Sequence, residues 1–174
     1  MMLSQQEQIR EREVHKLTKI KDYLYITSQQ TATDIEQLVK NGITMVISVC
    51  DVKHSETTIQ KFNENKIDYL YRPIEDHSSK DIISIARPLH RRINQHRRLN
   101  KNNRVLVHCI AGMSRSASVV IYHLMRNWKM KYHDALDLLI KIRPIVNPNI
   151  GFRYQLQQHD KYYRDTHKTI LMIT

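Results

Sequence analysis

The sequence has few of the residues that mark disordered, fibrous or disulfide-rich chains. Its 174 residues include only 3 glycines, 4 prolines and 2 cysteines. So little glycine and proline argues against low-complexity or collagen-like sequence. Two cysteines cannot form the framework of a small disulfide-stapled domain. With 41% hydrophobic residues, the chain can bury a core, and its length fits one domain.

Long apolar runs are also missing. No stretch reaches the ~18 apolar residues of a membrane-spanning helix. The N-terminal stretch MMLSQQEQIREREVHK is polar and charged, without the apolar centre of a signal peptide or the second-position glycine of a myristoylation site. We therefore expect a cytoplasmic protein, with nuclear entry left open. In such a compartment each cysteine is a core residue or a reactive thiol.

Positive charge predominates, with a formal net charge of +11. Much of the excess lies in residues 87–104, here called the basic stretch, which contains Arg87, Arg91, Arg92, Arg97, Arg98, Lys101 and Arg104. It is either a solvated helix face or a surface for an anionic partner: a phosphoprotein, a nucleic acid or an anionic membrane. No aromatic residue interleaves these positions, which disfavours stacking on single-stranded nucleic acid.

The pattern of apolar residues predicts alternating strands and helices. The predicted strands are 20–27 (or a short hairpin), 43–49, 67–72 and 104–108. The predicted helices are 4–16, 34–40 (capped by Thr33 and ended by Gly42), 55–64, 80–97 (kinked or split by Pro88), 116–127, 131–142 and 149–163. This order indicates an α/β fold whose central, mostly parallel sheet of about five strands is flanked by helices. We expect a main domain over 18–165 and a loosely held tail over 166–174. The N-terminal helix within 1–17 has few apolar positions, so it either lies on the surface or packs on a partner chain, as in a homodimer.

One segment carries recognisable chemistry. Strand 104–108 leads directly into His108-Cys109-Ile110-Ala111-Gly112-Met113-Ser114-Arg115-Ser116 and then a helix. Backbone N–H groups from Ile110 to Ser114 can form a nest for a tetrahedral anion, to which the helix adds its positive dipole end. Arg115 supplies a planar fork for two phosphate oxygens. The same field favours the thiolate of Cys109, a nucleophile for phosphorus, and Gly112 permits a turn that a side chain would obstruct.

These residues resemble a known family. His-Cys-x5-Arg-Ser resembles the signature of the protein tyrosine phosphatase superfamily, and HCIAGMSRSAS resembles its dual-specificity branch, which acts on phosphotyrosine and phosphoserine/threonine. The segments LYIT, NGITMVISV and RPIVNPNIGFRYQL resemble other stretches of that family. The resemblance covers roughly 20–163 and implies a metal-independent hydrolase, without a cofactor, that forms a phosphocysteine intermediate.

The resemblance also implies roles for single residues. The family's general acid is an aspartate about thirty residues before the cysteine. Asp76 matches it, with Glu75 and Asp81 as competing carboxylates. Ser116 resembles the hydroxyl that stabilises the departing thiolate, and His108 resembles the histidine that tunes the cysteine.

Two further residues are open to more than one interpretation. Asn149 resembles a position that braces the phosphate-binding loop, but it can equally cap the last helix. Cys50 follows strand 43–49, as Cys109 ends strand 104–108, so parallel neighbours would bring both thiols to one sheet edge. Some family members form a protective reversible disulfide there; the alternative is a buried, inert thiol. Cys50 and His54 have no second pair at zinc-ligand spacing, so we predict no metal site.

The favoured function is a dual-specificity protein phosphatase acting on a phosphorylated protein. A phosphatase for RNA 5′ ends or phosphoinositides is the alternative that the basic stretch suggests. RNA-directed relatives usually carry asparagine before the arginine and glycine two residues after it, whereas this chain has Ser114 and Ala117. A non-catalytic phosphate-binding module is a third candidate, but such relatives typically lose the cysteine, the arginine or the acid.

Overall fold

The computed structural model describes residues 4–173. Five strands form one sheet: β1 (Thr18–Lys21), β2 (Leu24–Ser28), β3 (Ile43–Ser48), β4 (Asp68–Tyr71) and β5 (Arg104–Cys109). The helices are α1 (Gln5–Val14), α2 (Ile35–Lys40), α3 (Glu56–Glu64), α4 (Ile82–Leu99), α5 (Arg115–Asn127), α6 (Tyr132–Ile142) and α7 (Ile150–Ile173), with a short 3-10 turn at Thr31–Thr33. None of these helices is long and apolar enough to cross a bilayer.

The sheet has the strand order β1-β2-β5-β3-β4. The hairpin partner β1 runs antiparallel to β2, and the other pairs are parallel. This confirms the predicted α/β fold with a mostly parallel sheet. The apolar strand β5 lies in the centre, where Ser28 pairs with Cys109 and Ser48 with His108. Cys109 therefore lies at the carboxyl edge of the sheet, the usual ligand-binding edge of open α/β folds.

Side-chain alternation along the strands divides the core between the two sheet faces. Val105 and Val107 belong to one buried cluster, together with residues of α4 and α5. Leu106, between them, belongs to a second cluster that includes Leu38 of α2 and Phe62 of α3. This follows from the two-residue period of a strand. Helices on both faces thus hold β5, and with it Cys109, in a fixed position.

Some element boundaries differ from the sequence prediction. The prediction that Thr33 caps α2 was wrong. Thr33 lies in the 3-10 turn, and Asp34 is the cap, since its side chain accepts the Gln37 N–H at 3.0 Å. Gly42 follows α2 as predicted, with φ +65°. Helix α4 continues as one element through Pro88. Helix α7 extends to Ile173, beyond the predicted end at 163; loose attachment of the tail stays a prediction, as does self-association through α1.

A fully buried arginine ties the N-terminal segment to the rest of the protein. Arg143 follows α6 and has no exposed surface. Its guanidinium donates to the Val14 carbonyl at 3.2 Å, the Lys16 carbonyl at 3.0 Å and the Thr18 Oγ1 at 2.9 Å. A buried charge without its acceptors is strongly destabilising. Residues 14–18 are therefore part of the folded core, whereas the preceding turns of α1 contribute none of these acceptors.

This arrangement predicts two different outcomes for N-terminal deletions. Removing residues 1–10 should leave the free energy of unfolding within about 1 kcal/mol of the full chain. Removing residues 1–16 should lower it by about 3 kcal/mol or more, because Arg143 loses two charged hydrogen bonds. Urea denaturation of both variants measures the difference. Equal stability of the two deletions would show that the Arg143 contacts do not anchor this segment.

Candidate active site

The loop between β5 and α5, residues 109–115, is here called the phosphate loop. Its carbonyl groups point outward, since four in succession accept hydrogen bonds from surrounding residues. The donors are Gln29 N for Ile110 (3.0 Å), Arg143 Nη2 for Ala111 (3.2 Å), Arg143 Nε for Gly112 (3.0 Å) and Asn147 N for Met113 (2.9 Å). In a trans peptide the following N–H points the opposite way. The amides of residues 111–114 therefore face the inside of the loop, the arrangement that an anion nest requires.

Gly112 is required at its position for two reasons. Its φ of +67° lies in the left-handed region that glycine tolerates best. A Cβ at this position would also lie 2.6 Å from the Thr27 carbonyl oxygen and 2.7 Å from Arg143 Nη2. The loop therefore packs too closely against β2 and Arg143 for any side chain.

The sulfur and the arginine of the motif are both inside the protein. Cys109 is 2% exposed, and its Sγ lies 3.2 Å from the Ser116 Oγ, which is fully buried. Arg115 is the first residue of α5 and is 6% exposed. Ile110 is 46% exposed and Met113 is half-buried, so these two side chains border the opening.

Asp51 holds the guanidinium of Arg115, a role that the sequence analysis missed. Arg115 Nη1 donates to Asp51 Oδ1 at 2.6 Å and to the Ile74 carbonyl at 3.2 Å. Burial opposes the charge of Arg115, but the bond to Asp51 and nearby negative groups raise its pKa. The same bond lowers the pKa of Asp51. The signal was available, because Asp51 follows β3, the strand beside β5.

The three candidate acids differ in their hydrogen-bond and ion-pair partners. Glu75 forms an exposed ion pair with Lys80 at 3.0 Å. Asp81 caps α4 by accepting the Ser84 N–H at 3.0 Å. Asp76 alone of the three faces the phosphate loop.

Asp76 Oδ1 receives two hydrogen bonds, from Ser114 Oγ at 2.6 Å and from Asn149 Nδ2 at 2.8 Å. Its other oxygen, Oδ2, lies 3.7 Å from Arg115 Nε. The carboxyl group is therefore held through Oδ1, while Oδ2 lies on the side of Arg115.

Asn149 performs both of the roles that the sequence analysis left open. Its Oδ1 accepts the Phe152 N–H at 2.9 Å and so caps α7. Its backbone N–H donates to Ser114 Oγ at 3.0 Å, while its side-chain amide holds Asp76. The start of α7, the phosphate loop and the candidate acid are thus joined through one asparagine.

The loop that carries Asp76, residues 73–79, rests directly on α7. A Cβ at Gly151 would lie 1.9 Å from the Ser78 carbonyl oxygen. Gln155 donates to the Lys80 carbonyl at 2.7 Å and accepts the Ile82 N–H at 2.9 Å. The sequence did not indicate this role for Gly151 or Gln155 individually. Each acquires it only in the folded protein, where the loop packs against α7.

A histidine outside the motif contacts His108. The Nε2 atoms of His54 and His108 lie 3.0 Å apart, and His108 Nδ1 lies 3.7 Å from Cys50 Sγ. Burial lowers the pKa of His108 to about 3 and also lowers that of His54. Both rings are therefore neutral at physiological pH, and between the two Nε2 atoms one ring donates and the other accepts.

Cys50 lies at the same sheet edge as Cys109, as the parallel strands predicted. Both thiols are free and buried, and burial raises the pKa of Cys50 to about 11. Cys50 is therefore a thiol rather than a nucleophile in this state. Formation of a reversible Cys50–Cys109 disulfide stays a prediction. No group of three or more histidine, cysteine or acidic residues in the described part of the chain is arranged to hold a metal ion.

A second buried histidine lies away from the phosphate loop. His123 of α5 is 0% exposed, with Nε2 at 3.0 Å from the Tyr23 hydroxyl and Nδ1 at 3.0 Å from His90 Nδ1. Burial lowers the pKa of His123 to about 3. The folded protein therefore keeps at least His108 and His123 uncharged under conditions in which unfolded histidines, with a pKa of about 6.5, become protonated.

Comparison with known proteins gives a consistent result. The family described as "Dual specificity phosphatase, catalytic domain" matches residues 24–162. The human dual specificity protein phosphatase 22 is 34% identical over 146 residues, which are 84% of this chain and 74% of that protein. The Xenopus tropicalis protein of the same name is 34% identical over 149 residues, 84% of this chain and 67% of that protein.

Solved structures agree with these sequence matches. The structure of human DUSP28 superimposes with a TM-score of 0.75 at 25% identity, covering 85% of this chain and 95% of that one. The structure of DUSP15 has a TM-score of 0.73 at 30% identity, covering 83% of this chain and 86% of that one.

The buried histidines predict that acid destabilises the fold. Their pKa is lower in the folded than in the unfolded state, so the unfolded chain binds more protons between about pH 6.5 and about pH 3. Stability is complete above pH ~6.5 and falls as the pH drops through this window. Between pH ~7.5 and pH ~5 the free energy of unfolding should fall by at least about 4 kcal/mol, about 2 from each of His108 and His123, and the lowered pKa of His90, which burial brings to about 4, adds to the fall.

Urea denaturation at the two pH values measures this change. His123→Gln should remove about 2 kcal/mol of it, whereas His133→Gln, at an exposed position, should leave it intact. An identical pH dependence in the wild type and His123→Gln would contradict the prediction.

Proposed function

The chain belongs to the dual specificity phosphatase family, and on that premise we propose that it hydrolyses phosphotyrosine and phosphoserine/threonine in proteins through a phosphocysteine at Cys109. The observation that carries this proposal is the phosphate loop. Its inward amides, the Arg115 guanidinium and the Cys109 sulfur surround one position for a tetrahedral anion. Asp76 contacts this loop through Ser114 and Arg115.

In the first step the Cys109 thiolate attacks phosphorus. The Sγ–P bond forms while the bond from phosphorus to the leaving oxygen breaks, and protonated Asp76 gives its proton to that oxygen from Oδ2. The loop amides and Arg115 bind the three remaining phosphate oxygens, whose charge they balance in the transition state. Asp51 keeps the Arg115 fork oriented toward them.

In the second step water hydrolyses the phosphocysteine. Asp76, now a carboxylate, accepts a proton from the attacking water, and the P–S bond breaks to return the thiolate. Ser116 Oγ, 3.2 Å from Sγ, donates a hydrogen bond to that leaving sulfur. The His54–His108 pair keeps uncharged rings behind the nucleophile and takes no part in proton transfer.

The substrate class is tested by comparing hydrolysis rates on three kinds of phosphate ester. Phosphotyrosyl and phosphothreonyl peptides should both be hydrolysed, and faster than 5′-triphosphorylated RNA or phosphoinositide. Ser114 and Ala117 at the positions where RNA-directed relatives carry asparagine and glycine support this order. A strong preference for RNA or for phosphoinositide would overturn the proposed substrate class while leaving the chemistry intact.

Replacing the nucleophile should separate binding from turnover. Cys109→Ser should bind a phosphotyrosyl peptide but release no phosphate, because the serine hydroxyl is not deprotonated at neutral pH. Cys50→Ser serves as the matched control and should retain turnover. Phosphate release from para-nitrophenyl phosphate by Cys109→Ser would refute the assigned nucleophile, and none from the wild type would favour a non-catalytic phosphate-binding module.

The candidate acids can be distinguished by three conservative replacements. Asp76→Asn should lower kcat by about 10²–10⁴-fold, since the amide cannot donate a proton to the leaving oxygen. Glu75→Gln and Asp81→Asn should remain close to the wild type, because one loses only a surface ion pair and the other keeps an acceptor for the α4 cap. Steady-state kinetics on a phosphotyrosyl peptide decides, and a comparable loss in Glu75→Gln would contradict the assignment.

A further inference from the structure

The end of the molecule away from the phosphate loop carries a pocket of about 460 Å³. It lies between the last turns of α4 and α5 and the chain that leads into β5. Its lining consists of Asn94, Arg97, Arg98, Lys101 and Asn127. Because α5 has 13 residues and begins at Arg115, its rise of ~1.5 Å per residue separates the pocket from the phosphate loop by about 18 Å.

The lining chemistry suits an oxyanion. Its three cations are donors only, its two amides can donate, and no carboxylate lines the pocket. Within the described part of the chain none of the three cations forms an ion pair. The pKa of Asp22 is lowered mainly by Lys19, with which it forms an ion pair at 3.0 Å, and to a smaller extent by the charge of Arg97.

Arg97 is held in place by a buried aromatic ring. Its guanidinium carbon lies 3.6 Å from the centroid of Tyr23, which is 5% exposed and stacks on Trp128. The Tyr23 hydroxyl accepts a hydrogen bond from Asn127 Nδ2 at 3.2 Å. Arg97 Nε is buried and has no hydrogen-bond partner in the described part of the chain. Stacking thus fixes a guanidinium whose donors are not all used, and a fixed fork loses less entropy on binding.

The other cations of the basic stretch have different tasks. Arg104 donates to the Asn41 carbonyl at 2.8 Å, and Arg92 lies 3.7 Å from Asp68. Arg87 and Arg91 are exposed on α4 outside the pocket. In this stretch Arg97, Arg98 and Lys101 line the pocket, so the interpretation as a surface for an anionic partner fits these three residues.

We propose that this pocket is a second oxyanion site, which binds a small soluble molecule carrying two or more phosphate groups. The volume is in the range of small-ligand pockets, ~300–1,000 Å³, and exceeds the space that a single phosphate fills. Three cations around one cavity match a multiply charged anion better than a monoester. Phosphate groups of this kind also occur on lipid headgroups, a source that the test separates.

The test uses the full chain and inorganic tripolyphosphate, followed through the side-chain amide NMR signals of Asn94 and Asn127. Both signals should shift saturably. Arg98→Gln with Lys101→Gln should weaken the affinity by about tenfold or more, because two of the three cations are lost. Arg87→Gln with Arg91→Gln removes the same charge from the same region and should change the affinity by less than about twofold.

Three results would overturn the proposal: equal weakening in both double variants, shifts confined to residues of the phosphate loop, or binding to phosphatidylinositol bisphosphate vesicles that free inositol trisphosphate does not displace. Hydrolysis of para-nitrophenyl phosphate is measured in parallel and should be unchanged in both double variants. Loss of that activity in the wild type would count against the catalytic function and not against the pocket.

Discussion

The active site depends on a buried cation behind the phosphate loop. Arg143 donates to the Ala111 and Gly112 carbonyls and also to the carbonyls of Val14 and Lys16 and to Thr18 Oγ1. Burial lowers the pKa of Arg143 to about 10, so the group is still charged at neutral pH. By drawing two loop carbonyls outward, it turns the following amides toward the substrate position. A buried group behind the loop thus orients its peptide groups.

Further hydrogen bonds connect the phosphate loop to Asp76. Ser114 Oγ donates to Asp76 and accepts the Asn149 N–H, so one hydroxyl joins the phosphate loop, the loop that carries Asp76 and the start of α7. Gly151 allows the loop that carries Asp76 to lie directly on α7. Gln155 forms hydrogen bonds with Lys80 and Ile82, just after that loop. The distance between Cys109 and Asp76 is therefore set by α7 as well as by β5. Preorganisation of this kind is what transition-state stabilisation by fixed dipoles requires.

Local sequence predicted much of this structure. The runs ITMVISV and RVLVH became the parallel strands β3 and β5, and the motif from His108 to Ser116 became the strand–loop–helix turn. The boundary errors arose where two local signals compete, as with Thr33 and Asp34 at the start of α2. Asp51, His54, Arg143, Gly151 and Gln155 were missed as site residues because distant segments assign their tasks. Asp51 had a local signal, since it follows the strand next to that of Cys109, and Arg143, Gly151 and Gln155 lie in the segment RPIVNPNIGFRYQL that resembles the family.

The covalent role of Cys109 is tested most directly by trapping the intermediate. Ser116→Ala should slow the second step, so acid quenching during turnover of a phosphotyrosyl peptide should capture the phosphoenzyme for peptide mapping by mass spectrometry. The structure predicts a phosphoryl group on Cys109 and none on Cys50. Phosphate release with no phosphoryl group on Cys109, or a phosphoryl group on another side chain, would contradict nucleophilic catalysis by this sulfur.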